Sequence, residues 1–251
     1  MNRLIFSLLW VVLVTFSALL PANVQAGERE QMLLKQIDQQ MHPGSYERYF
    51  QIINHQPNGK KNQITAYSAE DGNGKAVILI VAPKTLQGRA ALRLGDQVWT
   101  HIPGEIQLRE SSLRHALVGG VFNNADLLSV PFHLNHTLEK VTENKNQLTV
   151  TLTANSADIP YQYIELTVDK KSKTPLTLTQ FATAGIVIKT IDFSYGKKSP
   201  DSEQPLPTLS TMAEENNKYR SEIQTGTIRS RNFPAETFTQ SLLPQLGSIL
   251  K

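Results

Sequence analysis

The chain has 251 residues, no cysteine and a formal net charge of +3 at pH 7. The absence of cysteine excludes disulfides and thiolate metal sites, so stability must come from packing alone. The small positive excess is spread along the chain instead of forming a patch, which argues against a nucleic-acid partner.

The first 26 residues have the three zones of a secretory signal peptide. Arg3 gives a positive start, an apolar run follows over residues 4–20, and Val24 and Ala26 are the small side chains that a signal peptidase recognises. We predict cleavage after Ala26, a single domain over residues 27–251 and a periplasmic location. The alternative is a retained anchor, because an apolar run of about 17 residues approaches the length that spans a bilayer.

The remaining chain begins with a predicted helix over residues 28–41, in which apolar residues recur at spacings of three and four. Strand patterns follow in two groups. The first group comprises residues 46–54, 62–69, 76–81, 90–94, 97–102 and 106–108. The second comprises residues 147–154, 161–169, 176–181, 186–195, 209–214 and 219–231.

Two further segments interrupt or end the strands. Residues 111–131 carry apolar side chains around Gly119 and Gly120, and we interpret this insertion as short helices joined by a flexible glycine pair. A C-terminal helical piece carries Phe238, Leu242 and Leu246.

This order predicts an α+β, mainly β, fold with one large antiparallel sheet. A sheet of about ten strands tends to curl instead of staying flat. Its concave face needs a cover, and we expect the three helical pieces to provide it.

Residues that could carry out chemistry are scattered. His133 and His136 lie close in sequence, but Pro131 argues against the helix that would align them, so we interpret both as surface imidazoles and not as metal ligands. Asp126 is expected to cap a helical turn. No nucleophile, acid–base or phosphate-binding motif is present, so the sequence predicts no catalytic residue, no cofactor, no metal and no enzymatic activity.

The central sequence carries a family resemblance. A Gly95–Asp96 turn leads to a strand with Trp99 that ends at Pro103, and basic residues then precede a Gly- and Phe-containing segment over residues 118–128. This order, together with residues 206–208 and 227–234, resembles the LolA-like superfamily of outer-membrane lipoprotein-sorting proteins. The chain departs from the family pattern around the Gly–Phe segment and has acidic residues among the arginines of the preceding strand.

The resemblance implies a half-open β-barrel with short helices over its mouth and an apolar cavity for acyl chains. The candidate cavity wall comprises Leu92, Leu94 and Trp99. The candidate lid comprises Leu117, Val118, Gly119, Gly120, Val121, Phe122, Leu127 and Leu128. For all of these residues, ordinary core packing is the alternative.

The function that we predict is that of a periplasmic carrier, which binds acyl chains of a lipoprotein or lipid and passes the cargo between envelope components. An inner-membrane transporter and an outer-membrane acceptor would be its partners. Two alternatives are an RseB-like envelope-stress sensor with the same fold and an accessory subunit of an inner-membrane exporter.

Overall fold

The computed structural model describes residues 22–42, 44–182, 185–196, 207–214 and 219–249. Most of the predicted signal peptide lies outside these residues. Within them, a long helix, α1 (Ala22–Met41), begins before residue 28, where the sequence pattern placed its start. None of the helices in the described part of the chain combines the length and the apolarity needed to span a membrane.

The described strands form one antiparallel sheet. They are β1 (Ser45–His55), β2 (Lys61–Asp71), β3 (Lys75–Ala82), β4 (Ala90–Leu94), β5 (Gln97–His101), β6 (Arg109–Ser111), β7 (His136–Glu143), β8 (Gln147–Ala154), β9 (Tyr163–Asp169), β10 (Pro175–Phe181), β11 (Val187–Tyr195), β12 (Pro207–Glu214) and β13 (Arg220–Ser230).

The strand order is β6-β5-β4-β3-β2-β1-β13-β12-β11-β10-β9-β8-β7. The first and last long strands, β1 and β13, pair at the centre and join the two halves. The edge strands β6 and β7 make no pairing with each other in the described residues, so the sheet is not closed into a barrel. The predicted fold class, a curled antiparallel sheet that forms a half-open barrel with short helices, is confirmed.

The alternation of side chains divides this sheet into two faces. Ile78, Ala91 and Val98 belong to one large apolar cluster, whereas their neighbours Val77 and Leu92 belong to a second cluster. Successive residues of a strand point to opposite sides of a sheet, so the two clusters lie on opposite faces. We call the face of the larger cluster the inner face and the other the outer face.

The inner face is covered by helices and by the insertion. Leu34 and Ile37 of α1 are fully buried in the inner cluster, and α1 packs against β7, β10 and the short helix α3 (Phe132–Asn135). A second short helix, α2 (Asn124–Leu127), is the helix that the structure shows within residues 111–131. The expectation of several helices around the glycine pair was therefore wrong, because residues 112–123 form turns and bends instead.

Strand β7 was missed by the sequence analysis. Only His136 and Leu138 are buried in it, and the remaining positions are exposed. An edge strand with only two buried positions shows too short an alternation of apolar and polar residues to be recognised from sequence. Likewise, β6 lies a few residues after the predicted 106–108, and Ile106 is fully exposed.

The C-terminal segment packs on the outer face, which corrects the expectation that it covers the concave side. It consists of two 3-10 helices, Ala235–Phe238 and Leu243–Gln245, followed by α4 (Leu246–Ile249). Phe238, Leu243 and Leu246 are buried against the outer cluster, over β3 and β4. A sheet with apolar side chains on both faces needs a cover on each, and this segment covers the outer one.

The Phe238→Ala variant should lower the free energy of unfolding by about 3 kcal/mol, because it empties a buried aromatic site between the C-terminal segment and the outer face. Urea unfolding followed by circular dichroism measures the change. The exposed neighbour Gln240 provides the control, since Gln240→Ala should change stability by less than about 0.5 kcal/mol. Equal effects of the two variants would show that this segment is not part of the fold's core.

Candidate functional site

A cavity lies between the inner face and its cover. Its empty volume, including the part open to solvent, is about 920 Å³. The lining is mainly apolar and comes from both sides. The cover contributes Phe122, Ala125, Val130 and Phe132, and the loop between β8 and β9 contributes Ile159. The strands contribute Ile164, Leu178, Ile191, Phe193 and Ile223.

Two arginines fasten the cover to the rest of the protein. Arg93 on β4 is 3% exposed, and it donates from Nε to the Leu128 carbonyl at 2.8 Å and from Nη2 to the Ser129 carbonyl at 2.9 Å. Arg114 donates from Nη1 to the Pro160 carbonyl at 3.0 Å. Backbone carbonyls that lose contact with water need a donor, and these guanidinium groups supply it.

A buried ion pair holds the middle of the cover. Lys189 on β11 lies within salt-bridge distance of Asp126 on α2, and both side chains are almost fully buried. Asp126 also accepts a hydrogen bond from the Asn123 backbone N–H, which confirms its predicted capping role. The Lys189 ammonium also makes a cation–π contact with Tyr161, 4.6 Å from the ring centroid. The cover is therefore tied to the strands through polar contacts as well as through apolar packing.

A second polar cluster surrounds Glu70 on β2. Its carboxylate accepts hydrogen bonds from the Tyr46 hydroxyl at 2.7 Å and from the Ser129 hydroxyl at 2.6 Å, and His42 lies 3.3 Å away. Burial by itself would raise the pKa of Glu70, but His42, Arg48 and the Ser129 hydroxyl outweigh it and lower the pKa to about 2. Glu70 is thus a charged anchor for the end of the insertion.

Arg48 on β1 lines the cavity close to this cluster. Its Nε donates to the Ser68 hydroxyl at 3.2 Å, and the guanidinium lies over the rings of Phe50 and Tyr46. Among the residues that the structure describes, no carboxylate lies within 4 Å of it. The cavity wall therefore contains a cationic group without a direct ion-pair partner.

The two histidines predicted to be surface imidazoles are placed differently. The Nδ1 atom of His133 lies 2.7 Å from a carboxylate oxygen of Asp38 on α1. Asp38 also accepts hydrogen bonds from the backbone N–H groups of Phe132 and His133. His136 is 3% exposed and lines the cavity, where its ring meets that of Phe132 edge to face. The surface interpretation of His136 was wrong, because β7 directs its side chain beneath the cover.

The sequence-predicted wall residues Leu92, Leu94 and Trp99 come together, but on the outer face. Leu92 and Trp99 are paired across β4 and β5, and all three pack in the outer cluster beneath the C-terminal segment. They lie outside the lining of the described cavity. The resemblance suggested these residues as a cavity wall, but the sequence does not say which face of the sheet the cavity occupies.

The predicted lid residues lie in the cover. Phe122 lines the main cavity, Leu117, Leu127 and Leu128 are buried in the inner cluster, and Val118, Gly120 and Val121 line a smaller neighbouring cavity. The glycine pair has φ angles of 74° and 85° at Gly119 and Gly120, a backbone region that favours glycine. A Cβ at Gly120 would also clash with the Asn54 side chain.

Arg48, Lys189 and Gln180 were not predicted as site residues, although the sequence carries a signal for Lys189 and Gln180. Lys189 shares a strand face with Val187 and Ile191, and Gln180 shares one with Leu178. A single polar residue at an otherwise apolar position of a strand marks a buried contact or a binding group. No cluster of residues in the described ranges has the composition and geometry of a metal site.

The low pKa of Glu70 gives a stability prediction with a defined sign. Its folded pKa, about 2, is lower than its ordinary value of 4.5, so the stabilisation is present above pH 4.5 and is lost as the pH falls toward 2. This loss should amount to about 3 kcal/mol in the native protein. Urea unfolding between pH 7 and 2.5 should show a smaller loss in Glu70→Gln. The matched control is Glu165→Gln at an exposed position, which should keep the native pH dependence; an unchanged pH dependence in Glu70→Gln would contradict the assignment.

Several solved structures share the fold of this chain. A LolA superfamily protein from Nitrosomonas europaea superposes with a TM-score of 0.76 and 19% identity, covering 84% of this chain and 98% of that one. A domain from Vibrio parahaemolyticus, described as a putative outer membrane lipoprotein-sorting protein, gives a TM-score of 0.71 and 17% identity over 87% and 99%. A DUF1329 family protein from Desulfovibrio piger gives a TM-score of 0.68 and 16% identity, covering 88% of this chain and 98% of that one.

Sequence comparison gives one family. No curated protein matches the chain significantly. A family model described as "-like: Uncharacterized protein" matches residues 72–245, more than half of the chain. The chain therefore belongs to that family, and its fold is LolA-like.

Proposed function

We propose that this protein is a periplasmic carrier that holds an acyl chain of a lipid or lipoprotein in its inner cavity and passes it between envelope components. The observation that supports the proposal most directly is the apolar, partly open cavity between the strands and the insertion. A ligand site is typically a concave, mainly apolar cavity with a few polar groups. The LolA-like fold of the chain is consistent with such a role.

The energetics of an acyl chain fit this cavity. Each methylene that moves from water to an apolar site contributes about 0.8 kcal/mol. The walls that Phe122, Ile164 and Leu178 form are the surfaces on which this burial would occur. Arg48 adds a cationic group to the wall, which suits a ligand that joins an apolar chain to an anionic head.

Uptake requires the cover to move, and the insertion is the proposed lid. Gly119 and Gly120 give its backbone freedom to change conformation. The contacts that hold it in place, such as those from Arg93 and Lys189, are hydrogen bonds and ion pairs that can break and re-form. Burial of an acyl chain would offset the cost of separating Leu127 and Leu128 from the inner cluster.

The proposal includes export, with cleavage after Ala26. Intact-mass measurement of the protein isolated from the periplasm tests both the location and the processing site. A chain that begins at Gly27 supports the proposal, whereas a full-length chain recovered with the membrane fraction would favour a retained anchor.

Binding can be tested with cis-parinaric acid, whose fluorescence rises when it enters an apolar site. The purified protein should bind it, and palmitic acid should displace it. Mass spectrometry of organic extracts of the protein purified from the periplasm should also detect acyl species. Failure of both measurements would contradict the carrier function.

A cavity-filling variant locates the binding. Ile164 lines the cavity and is 3% exposed, whereas the next residue, Glu165, is exposed on the opposite side of the strand. Ile164→Trp should reduce cis-parinaric acid affinity at least tenfold, because the indole would occupy the space of the acyl chain. Glu165→Trp should bind like the native protein. Equal binding by both variants, with native circular dichroism spectra, would place the binding site elsewhere.

A further inference from the structure

Two polar side chains in the cavity wall lack hydrogen-bond partners. His136 on β7 and Gln180 on β10 both line the cavity, and each is only 3% exposed. Within the part of the chain that the structure describes, the Oε1 atom of Gln180 has no hydrogen-bond partner. Among the same residues, neither ring nitrogen of His136 makes a hydrogen bond of normal geometry, although the Tyr161 carbonyl interacts weakly with the ring. Buried polar atoms are nearly always paired, so poorly paired atoms on two residues that line one cavity require an explanation.

The neighbours of Gln180 do not supply a partner. It lies between Ile164 on β9 and Lys189 on β11 in the sheet register. Ile164 offers no polar group, and the Lys189 ammonium is engaged by Asp126 and by the Val121 carbonyl. An apolar residue of the same size would avoid the cost of burying an unpaired amide oxygen. Among the described residues, the Gln180 oxygen therefore adds no hydrogen bond to the fold that an apolar residue of similar size, such as methionine, would lose.

The chemistry of the two side chains defines what they would bind. The Gln180 oxygen is an acceptor and requires a donor. Burial lowers the pKa of His136 to about 4, an effect that the Tyr161 carbonyl only partly offsets, so the ring is neutral at pH 7. A neutral imidazole offers one N–H donor and one acceptor nitrogen. Together the two residues suit a neutral group that both donates and accepts, such as a hydroxyl or an amide.

We propose that His136 and Gln180 form a polar subsite that selects acyl ligands bearing a hydroxyl or amide group over plain fatty acids. This inference rests on the proposed function, because it concerns the occupant of the same cavity. A plain hydrocarbon chain would leave these atoms without a polar partner, whereas a hydroxyl or secondary amide could donate its hydrogen to Gln180 Oε1 and accept one from the imidazole N–H of His136. The subsite thus makes the cavity selective by hydrogen bonding, while its apolar walls supply affinity.

The test compares three competitors in displacement of cis-parinaric acid from the native protein. Palmitic acid is the plain chain, 3-hydroxypalmitic acid carries a hydroxyl, and N-palmitoylglycine carries an amide. One or both polar ligands should bind about three- to tenfold more tightly than palmitic acid, the equivalent of one net hydrogen bond. The ranking of the hydroxyl and amide ligands distinguishes the two chemistries.

Three variants assign the preference to the subsite. Gln180→Met and His136→Phe should each abolish the preference, so that the polar ligands bind the variant no more tightly than palmitic acid binds the same variant. Leu178→Met changes the adjacent apolar wall and should keep the preference. In thermal unfolding without ligand, Gln180→Met should melt at the native temperature or higher. If Gln180 served the fold instead of the ligand, the substitution would lower the melting temperature.

Each outcome has a defined meaning. A preference that the native protein shows and the Gln180 and His136 variants lose supports the subsite. Equal binding of all three ligands by the native protein, or a preference that the variants retain, overturns the subsite and leaves the carrier function standing. Binding of none of the ligands contradicts the carrier function itself and the subsite with it.

Discussion

The breadth of the sheet's inner face is the constraint on which the rest of the structure depends. With thirteen strands at a spacing of about 4.8 Å, the sheet would be about 60 Å wide if it were flat, whereas a helix of the length of α1 extends only about 30 Å. Curling reduces the width, but one helix does not cover it. The rest of the cover is a mainly irregular segment, whose backbone carbonyls lose contact with water. This is why the long donors of Arg93 and Lys189 reach its carbonyls from the strands. Arg114, within the segment, donates outward to the Pro160 carbonyl.

The same constraint accounts for the cavity. Protein interiors normally pack to the density of organic crystals, and unfilled space costs stability. Here the cover is fixed by polar contacts at Asp126 and Ser129 as well as by apolar packing, and this packing does not fill the space beside Phe122 and Val130. Apolar walls therefore face one another across empty space. A cavity kept open in this way, with unpaired polar atoms in its wall, suits a protein whose inner surface is completed by a ligand.

Sequence reasoning succeeded where a pattern is local. The alternation of Leu148, Val150 and Leu152 with threonines predicted β8, and the Gly95–Asp96 turn predicted the β4–β5 hairpin. It failed where the answer depends on which elements meet. Nothing in the spacing of Leu92 and Trp99 distinguishes the inner from the outer face, and the apolar C-terminal segment fits either. Likewise, Arg48, His136 and Gln180 acquire their common surroundings only when β1, β7 and β10 curl around one space.

The most direct measurement is a crystal structure of the protein with a fatty acid brominated near the end of its chain. The anomalous signal of bromine locates the chain independently of the protein density. The carrier account predicts a bromine peak within the inner cavity, among Phe122, Ile164 and Leu178. A bound acid with its bromine on the outer face or at the protein surface would contradict it.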